Sequence, residues 1–88
     1  MKLNDFKKEN VIDLRSEKEY LKFHLNGSRN INYIDLLINT DKYLNKRDNY
    51  LLICDKGIQS MDVSNILKRK GYHTYSLDGG MKKMLAKF

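Results

Sequence analysis

The only cysteine of the chain, Cys54, stands between an apolar run and a short segment that contains a glycine. The run before it is Tyr50-Leu51-Leu52-Ile53, and the segment after it is Asp55-Lys56-Gly57-Ile58-Gln59-Ser60. A cysteine thiolate is a nucleophile, and backbone N–H groups together with the positive end of a helix dipole stabilise it. A tight loop that enters a helix supplies both, and Gly57 permits the backbone angles that such a loop requires. The spacing therefore predicts a reactive thiolate at Cys54, cradled by loop amides.

A second interpretation of Cys54 stays open at this point. A cysteine that follows an apolar strand is commonly a small buried hydrophobic residue. The glycine-containing loop and the immediate start of a helix favour a functional cysteine. Because the chain has no second cysteine, any sulfur bound to Cys54 has to leave to another molecule, and an internal disulfide is impossible.

Short apolar runs alternate with segments of helical period, which predicts βαβ units and a mainly parallel sheet in one domain, residues 1–88. The apolar run that ends at Cys54 is typical of a central strand covered on both faces. Ligands bind at the carboxyl ends of strands in such sheets, and Cys54 lies at one. The predicted strands are 11–14, 30–33, 50–54 and 73–77, and the predicted helices are 16–23, 34–38, 59–70 and 81–88, with a further turn at 43–44.

Several residues mark where helices begin and end. Ser16 with Glu19 three positions later forms a capping-box pattern, and Asn26-Gly27 predicts a turn after that helix. Gly71 stands where a left-handed C-terminal cap belongs. The basic run Lys68-Arg69-Lys70 falls in the last turn of the preceding helix, where positive charge complements the helix dipole.

Charge and hydropathy exclude several classes of protein. The net charge is +6, but the basic residues are scattered among acidic and amide residues, so we expect no nucleic-acid partner. No apolar run approaches the ~20 residues that cross a bilayer, and the first residues lack the apolar stretch of a signal peptide. We expect a cytoplasmic protein without membrane contact. No group of His, Cys and Asp has metal-ligand spacing, so we expect neither metal nor cofactor.

Four segments resemble the rhodanese family, in the family's order and spacing. The loop Cys54-Asp55-Lys56-Gly57-Ile58-Gln59-Ser60 resembles its active-site loop, Cys-x-x-Gly-x-Arg-Ser. The other three are Val11-Ile12-Asp13-Leu14-Arg15, the stretch from Glu19-Tyr20 to His24-Leu25-Asn26-Gly27-Ser28-Arg29-Asn30-Ile31, and the stretch from Gly71-Tyr72 to Leu77-Asp78-Gly79-Gly80.

The resemblance implies an α/β, three-layer rhodanese-like fold, with a small, mainly parallel sheet flanked by helices on both faces. It also implies a sulfurtransferase. Cys54 would take sulfane sulfur from a small anionic donor such as thiosulfate, or from a protein persulfide, and pass it to a thiol or to cyanide. The resemblance assigns the catalytic role to Cys54 and places the substrate against the loop residues Asp55, Lys56, Gly57, Ile58, Gln59 and Ser60.

The loop departs from the family at one position. Gln59 replaces the usual arginine, which removes a bidentate grip on anions and weakens the expectation of tight thiosulfate binding. Lys56 can act as a point charge in its place, whereas the Asp55 carboxylate would disfavour a nearby thiolate unless it points away. The related phosphatases have a loop one residue longer that ends in arginine, so phosphatase activity is not expected.

We expect a structural role for His24, and polar contacts of Asp13 and Arg15 that order the strand ends, while His73 has no evident role.

The alternative to an enzyme is a catalytically idle rhodanese-like module that binds or regulates a partner, which the loss of the loop arginine favours. Since the pattern leaves no apolar face unpaired, we expect a monomer.

Overall fold

The fold is a parallel sheet enclosed by helices, seen in a computed structural model that describes residues 2–86. The strands are β1 (Val11–Asp13), β2 (Arg29–Asn30), β3 (Asn49–Ile53) and β4 (His73–Ser76). The helices are α1 (Glu17–Lys22), α2 (Tyr33–Ile38), α3 (Thr40–Tyr43), α4 (Ile58–Arg69) and α5 (Gly80–Leu85), and two 3₁₀ turns, Leu3–Asp5 and Lys8–Asn10, precede β1. Each helix within residues 2–86 is too short or too polar to span a bilayer.

The four described strands are all parallel and lie in the order β2-β1-β3-β4. Alternate residues of the strands supply two hydrophobic clusters, one on each face of the sheet, because successive side chains of a strand point to opposite faces. One cluster contains Ile12, Leu14, Ile31, Leu36, Leu44, Tyr50, Leu52, Val63 and Leu67. The other contains Phe6, Val11, Leu51, Ile53 and Met81. The predicted three-layer α/β architecture is confirmed.

The helix boundaries follow local signals that the sequence carries. The Ser16 hydroxyl oxygen accepts a hydrogen bond from the Glu19 amide at 3.2 Å, as the capping pattern predicted. Gly27 and Gly71 have φ of +84° and +96°, in the turn and at the C-terminal cap where left-handed backbone was expected. Lys68 lies in the last turn of α4, where it is exposed, and its ammonium group lies 5.3 Å from the centre of the Tyr75 ring.

Two predicted boundaries were wrong near residue 32. The second strand ends at Asn30 instead of residue 33. The Asn32 side chain accepts a hydrogen bond from the Ile34 amide at 2.9 Å, and this cap starts α2 at Tyr33. The further turn predicted at 43–44 is the helix α3, which ends at Tyr43.

The last helix is confirmed in part. Met81 is buried, as predicted for a core-facing methionine, whereas Leu85 is 40% exposed. Phe88, predicted for the same face, lies outside the described residues.

The parallel sheet brings three strand ends together beside Cys54. The register pairs Asp13 with Ile53 and Leu52 with Ser76. Because parallel strands end at the same edge, the carboxyl ends of β1, β3 and β4 all lie beside Cys54, the residue that directly follows β3.

Candidate active site

The sulfur of Cys54 lies among hydrogen-bond donors. The amide of Gly57 donates to Sγ at 3.1 Å and the amide of Ser60 donates at 3.2 Å, while the Ser60 hydroxyl oxygen lies 3.1 Å from Sγ. Ser60 is fully buried, and Cys54 is 4% exposed. The sulfur therefore occupies a polar cradle, in contrast to a buried cysteine that packs among aliphatic side chains.

The sulfur takes the place of a helix cap. Gly57 is the N-cap residue of α4, with φ of +89°, and has no side chain to satisfy the first amides of the helix. The first N–H groups of a helix have no partner within it, and here the Ser60 amide donates its hydrogen bond to the Cys54 sulfur. The left-handed conformation expected at Gly57 is observed, and the dipole of the 12-residue α4 starts at the sulfur.

Other amides of the loop are left for a ligand. The N–H groups of residues 55, 56, 58 and 59 form no hydrogen bond to another group in the described part of the chain. The amides that contact Sγ itself are those of Gly57 and Ser60, fewer than the whole set of loop amides that the sequence suggested.

A backbone turn at the start of α5 holds the cysteine loop in place through hydrogen bonds to its carbonyl oxygens. The amides of Met81 and Lys82, in the first turn of α5, donate to the carbonyl oxygens of Cys54 and Asp55, both at 2.9 Å. A Cβ atom at Gly80 would lie 2.5 Å from each of those two oxygens, so a side chain there has no room. A Cβ at Gly57 would likewise lie 2.9 Å from the amide nitrogen of Gly79. The Gly-Gly turn is thus the backbone support of the cysteine loop.

Two clefts meet at Cys54. The first, of about 550 Å³, has an apolar wall that includes Tyr33, Leu37 and Ile58. The second, of about 610 Å³, is more polar and is lined by Arg15 and Glu19, among others. Cys54, Asp55, Gln59 and Tyr33 border both clefts. A small donor molecule can therefore approach the sulfur although little of it is exposed.

The two cations that line the clefts at Cys54 differ in how far they are already bound. Arg15 donates hydrogen bonds from Nε and Nη2 to the Asp13 carboxylate, at 3.0 and 2.8 Å, and Nη2 also donates to the Phe23 carbonyl at 2.6 Å. The hydrogen bond to Asp13 raises the pKa of Arg15 above its ordinary value. Lys56 is exposed and forms no ion pair within residues 2–86. Lys56 is therefore the cation of the loop that is free to meet an anion.

The two histidines lie in different surroundings. His24 stacks on Tyr20, with ring centres 3.8 Å apart, and its Nδ1 lies 2.7 Å from the Tyr20 carbonyl oxygen. It does not line either cleft, which agrees with the structural role expected for it. His73 begins β4 and is exposed.

Sequence reasoning missed two residues of the site. Tyr33 was assigned to a strand, yet it borders both clefts. Ser76, the last residue of β4, places its hydroxyl oxygen 2.5 Å from that of Ser60. The sequence signal for Ser76 is its position just before the Leu77-Asp78-Gly79-Gly80 turn, but its partner is known only once β4 is in register with β3.

The fold and the loop together define a class of small α/β protein in which a cysteine at the carboxyl edge of a parallel sheet is held by amides of a loop and a helix start. The model of the rhodanese-like domain matches residues 2–87. The chain belongs to the rhodanese-like domain family, as its motifs predicted.

Individual relatives agree with this assignment. A tRNA sulfurtransferase of Pyrobaculum aerophilum is 37% identical over 67 residues, which make up 76% of this chain and 14% of that protein. The chain thus spans about a seventh of the length of that relative. A protein of Staphylococcus saprophyticus superposes with a TM-score of 0.79 at 27% identity, over 84% of this chain and 73% of that one. A rhodanese-related protein of Thermoplasma volcanium has a TM-score of 0.79 at 24% identity, over 89% and 77% of the two chains, and shares the fold.

Proposed function

We propose that this protein is a sulfurtransferase that carries sulfane sulfur as a persulfide on Cys54. The observation that supports this most directly is the pair of amides, of Gly57 and Ser60, that donate to Sγ at 3.1 and 3.2 Å. Donors at these distances favour a negatively charged sulfur, which is the form that attacks a donor and the form to which a persulfide returns. Residues 1–88 are proposed to act as one rhodanese-like unit.

The reaction has two displacements. The Cys54 thiolate attacks the outer sulfur of thiosulfate; a new S–S bond forms at Cys54, the S–S bond of thiosulfate breaks, and sulfite leaves with the electron pair. An acceptor such as cyanide or a thiolate then attacks the outer sulfur of the persulfide. The S–S bond at Cys54 breaks, the acceptor leaves with the sulfur, and the thiolate is restored.

The loop would stabilise the intermediate as well as the thiolate. A persulfide extends the sulfur by one atom and carries its negative charge on the outer sulfur. The amides of residues 56, 58 and 59, which have no other partner in the described chain, are candidates to bind that outer atom alongside the amides of Gly57 and Ser60. These are the loop positions that the family resemblance assigned to substrate.

The charges beside Cys54 bear on which sulfur donor the site accepts. Arg15 is ion-paired with Asp13, Gln59 is neutral, and Asp55 adds a negative charge. Lys56 is therefore the positive charge of the loop that can attract a dianion. These features favour a persulfide donor, on a protein or a small thiol, over thiosulfate. The relative named a tRNA sulfurtransferase is consistent with a role in passing sulfur onward, and a cytoplasmic location, where thiols stay reduced, would suit this chemistry.

Mass spectrometry of the intact protein tests the proposal. After incubation with a protein persulfide, and separately with thiosulfate, we expect one added sulfur atom on Cys54 that cyanide removes. Cys54→Ser is the matched control and should gain no sulfur.

The rival function has a distinct outcome. A module that only binds a partner would show no adduct with either donor, and Cys54→Ser would retain its cellular activity. Absence of the adduct with both donors would therefore contradict the sulfur-transfer proposal and favour the idle module.

A further inference from the structure

Three side chains from different parts of the chain form a continuous line of polar contacts at the site. Cys54 Sγ lies 3.1 Å from Ser60 Oγ, which lies 2.5 Å from Ser76 Oγ. Ser76 Oγ in turn lies 3.5 Å from the carbonyl oxygen of Gly57. Ser60 is fully buried in the first turn of α4, and Ser76 is half-buried at the end of β4.

The number of protons on Cys54, Ser60 and Ser76 determines the direction of the hydrogen bonds between them. Each hydroxyl has one proton to donate. When Cys54 is a neutral thiol, its proton can go to Ser60 Oγ, the Ser60 proton to Ser76 Oγ, and the Ser76 proton to the Gly57 carbonyl. Every donor then has an acceptor, and the line runs away from the sulfur.

A charged sulfur reverses the line. The thiolate has no proton and requires donors, so the Ser60 hydroxyl turns toward Sγ. Ser60 Oγ then has lone pairs in a buried position, and the Ser76 hydroxyl, 2.5 Å away, can donate to it. Hydrogen bonds in such a chain polarise one another, so a donor to Ser60 strengthens the bond from Ser60 to the sulfur.

We infer that Ser76 is a positioning residue that acts on Cys54 through Ser60, by supplying the hydrogen bond that turns the Ser60 hydroxyl toward the charged sulfur. The inference deepens the proposed sulfur transfer and rests on Cys54 being its nucleophile. Ser76 does not touch Sγ, and its effect on the sulfur therefore depends on the presence of the Ser60 hydroxyl.

The rate of Cys54 alkylation by iodoacetamide, measured across pH on the full chain, tests this dependence. Ser60→Ala should raise the pH midpoint by roughly one unit, because the sulfur loses a direct donor. Ser76→Ala should raise it by about 0.1–0.3 unit, since it removes only the roughly 10–30% by which a second hydrogen bond strengthens that donor. In the Ser60→Ala background, Ser76→Ala should add no further shift.

The chain offers a matched control at the same helix–strand interface. Ser64 lies one helical turn after Ser60 in α4 and Thr74 lies two residues before Ser76 in β4, with their hydroxyl oxygens 3.0 Å apart and both side chains buried. Ser64→Ala and Thr74→Val remove an equivalent hydrogen bond that does not reach the sulfur. Both should leave the alkylation midpoint at the wild-type value.

A second pair of variants keeps the test valid if Ser76→Ala does not fold. Thr and Val have the same shape, and both suit a strand, but Val lacks the hydroxyl. Ser76→Thr should retain the wild-type midpoint and Ser76→Val should show the shift. A wild-type midpoint in Ser76→Val, or a shift of equal size with and without Ser60, would overturn the inference. Persulfide formation by the wild-type protein is measured separately by mass spectrometry. Absence of a persulfide there would contradict the proposed function, whereas the alkylation midpoints test the role of Ser76.

Discussion

At Cys54, the chemistry depends on which atoms the sulfur meets. A thiol surrounded by methyl groups is disfavoured as an anion, whereas hydrogen-bond donors favour its charged form. In this chain the donors to the sulfur are the amides of Gly57 and Ser60, and the Ser60 hydroxyl oxygen lies 3.1 Å from it. These donors come from the loop and the helix start, and within residues 2–86 no charged side chain hydrogen-bonds to the sulfur.

Gln59 bears on the choice of sulfur donor, because it borders both clefts at Cys54. We predict that Gln59→Arg raises kcat/KM for thiosulfate by about tenfold, since guanidinium adds a charge-assisted grip on the dianion. Steady-state assays with thiosulfate and with a protein persulfide measure the effect.

Gln59→Met is the control for this prediction, because it has similar length and no charge. It should not improve the use of thiosulfate. If Gln59→Arg gives no gain while transfer from the protein persulfide continues, residue 59 does not face the bound dianion.

Among the elements, α4 determines the geometry of the site. Its N-terminal amides lack helical partners, and the sulfur and the free loop amides lie at that end. The start of α5 then binds the Cys54 and Asp55 carbonyl oxygens, so two helix starts hold the loop from opposite sides. The cradle is therefore a property of how the two helices meet the sheet edge.

The helices α2 and α3 are joined by a polar contact whose strength depends on pH. The Tyr43 hydroxyl donates to the Asp35 carboxylate, and this bond, with a further one from Asn39, holds the pKa of Asp35 below its ordinary value of 3.8. The same bond raises the pKa of Tyr43 above its ordinary value of 10.0. Because the Asp35 pKa is lowered, the ionised carboxylate stabilises the fold at pH values above 3.8, and this contribution is lost as the pH falls through the lowered pKa. Because the Tyr43 pKa is raised, the neutral hydroxyl stabilises the fold below pH 10.0, and this contribution is lost as the pH rises through the raised pKa.

We predict that Tyr43→Phe lowers the free energy of unfolding more at about pH 7 than at about pH 2, because the Tyr43 hydrogen bond to the ionised Asp35 carboxylate is lost as pH falls through the lowered pKa of Asp35. Urea unfolding of both proteins at the two pH values measures the difference. Tyr33→Phe serves as the control, since the Tyr33 hydroxyl forms no hydrogen bond within the described residues and its loss should have no such pH dependence. An equal loss for Tyr43→Phe at both pH values would contradict the prediction.

For the molecule as a whole, the stability margin of a chain of 88 residues is small, so one buried ion pair matters. The Asp13 and Arg15 side chains are 1% and 7% exposed and lie 2.8 Å apart. Asp13 lies in β1, a central strand of the sheet, and Arg15 Nη2 donates a hydrogen bond to the Phe23 carbonyl, just after α1. Loss of the carboxylate would leave the guanidinium without its ion-pair partner and with two of its hydrogen bonds unmade.

We predict that Asp13→Ala costs about 3–5 kcal/mol of unfolding free energy, the range for breaking a buried pair. Chemical denaturation monitored by circular dichroism measures it. Lys22→Ala removes the exposed pair with Glu19, whose side chains are 64% and 53% exposed, and should cost less than about 1 kcal/mol. Equal costs for the two variants would show that burial of the Asp13 pair is not decisive.

Much of the fold was predictable because its signals are local. The apolar run before Cys54, the Ser16 cap and the left-handed glycines each act over a few residues, and each is observed where the sequence placed it. The second strand was predicted too long because the Asn32 cap competes with a strand pattern over the same residues. The expectation that no apolar face is left over does not hold in full either, since Ile38 and Ile58 are 73% and 69% exposed. Oligomeric state remains a prediction.

The sequence by itself determined the order of strands and helices, the family, and the placement of a cysteine loop before a helix, because these depend on neighbours along the chain. Only the tertiary structure decided that Ser76 meets Ser60 and that the Gly79-Gly80 turn supports the loop. Those contacts join residues that are 16 or more positions apart, and they depend on the register of β4 against β3, which no short segment of the sequence carries.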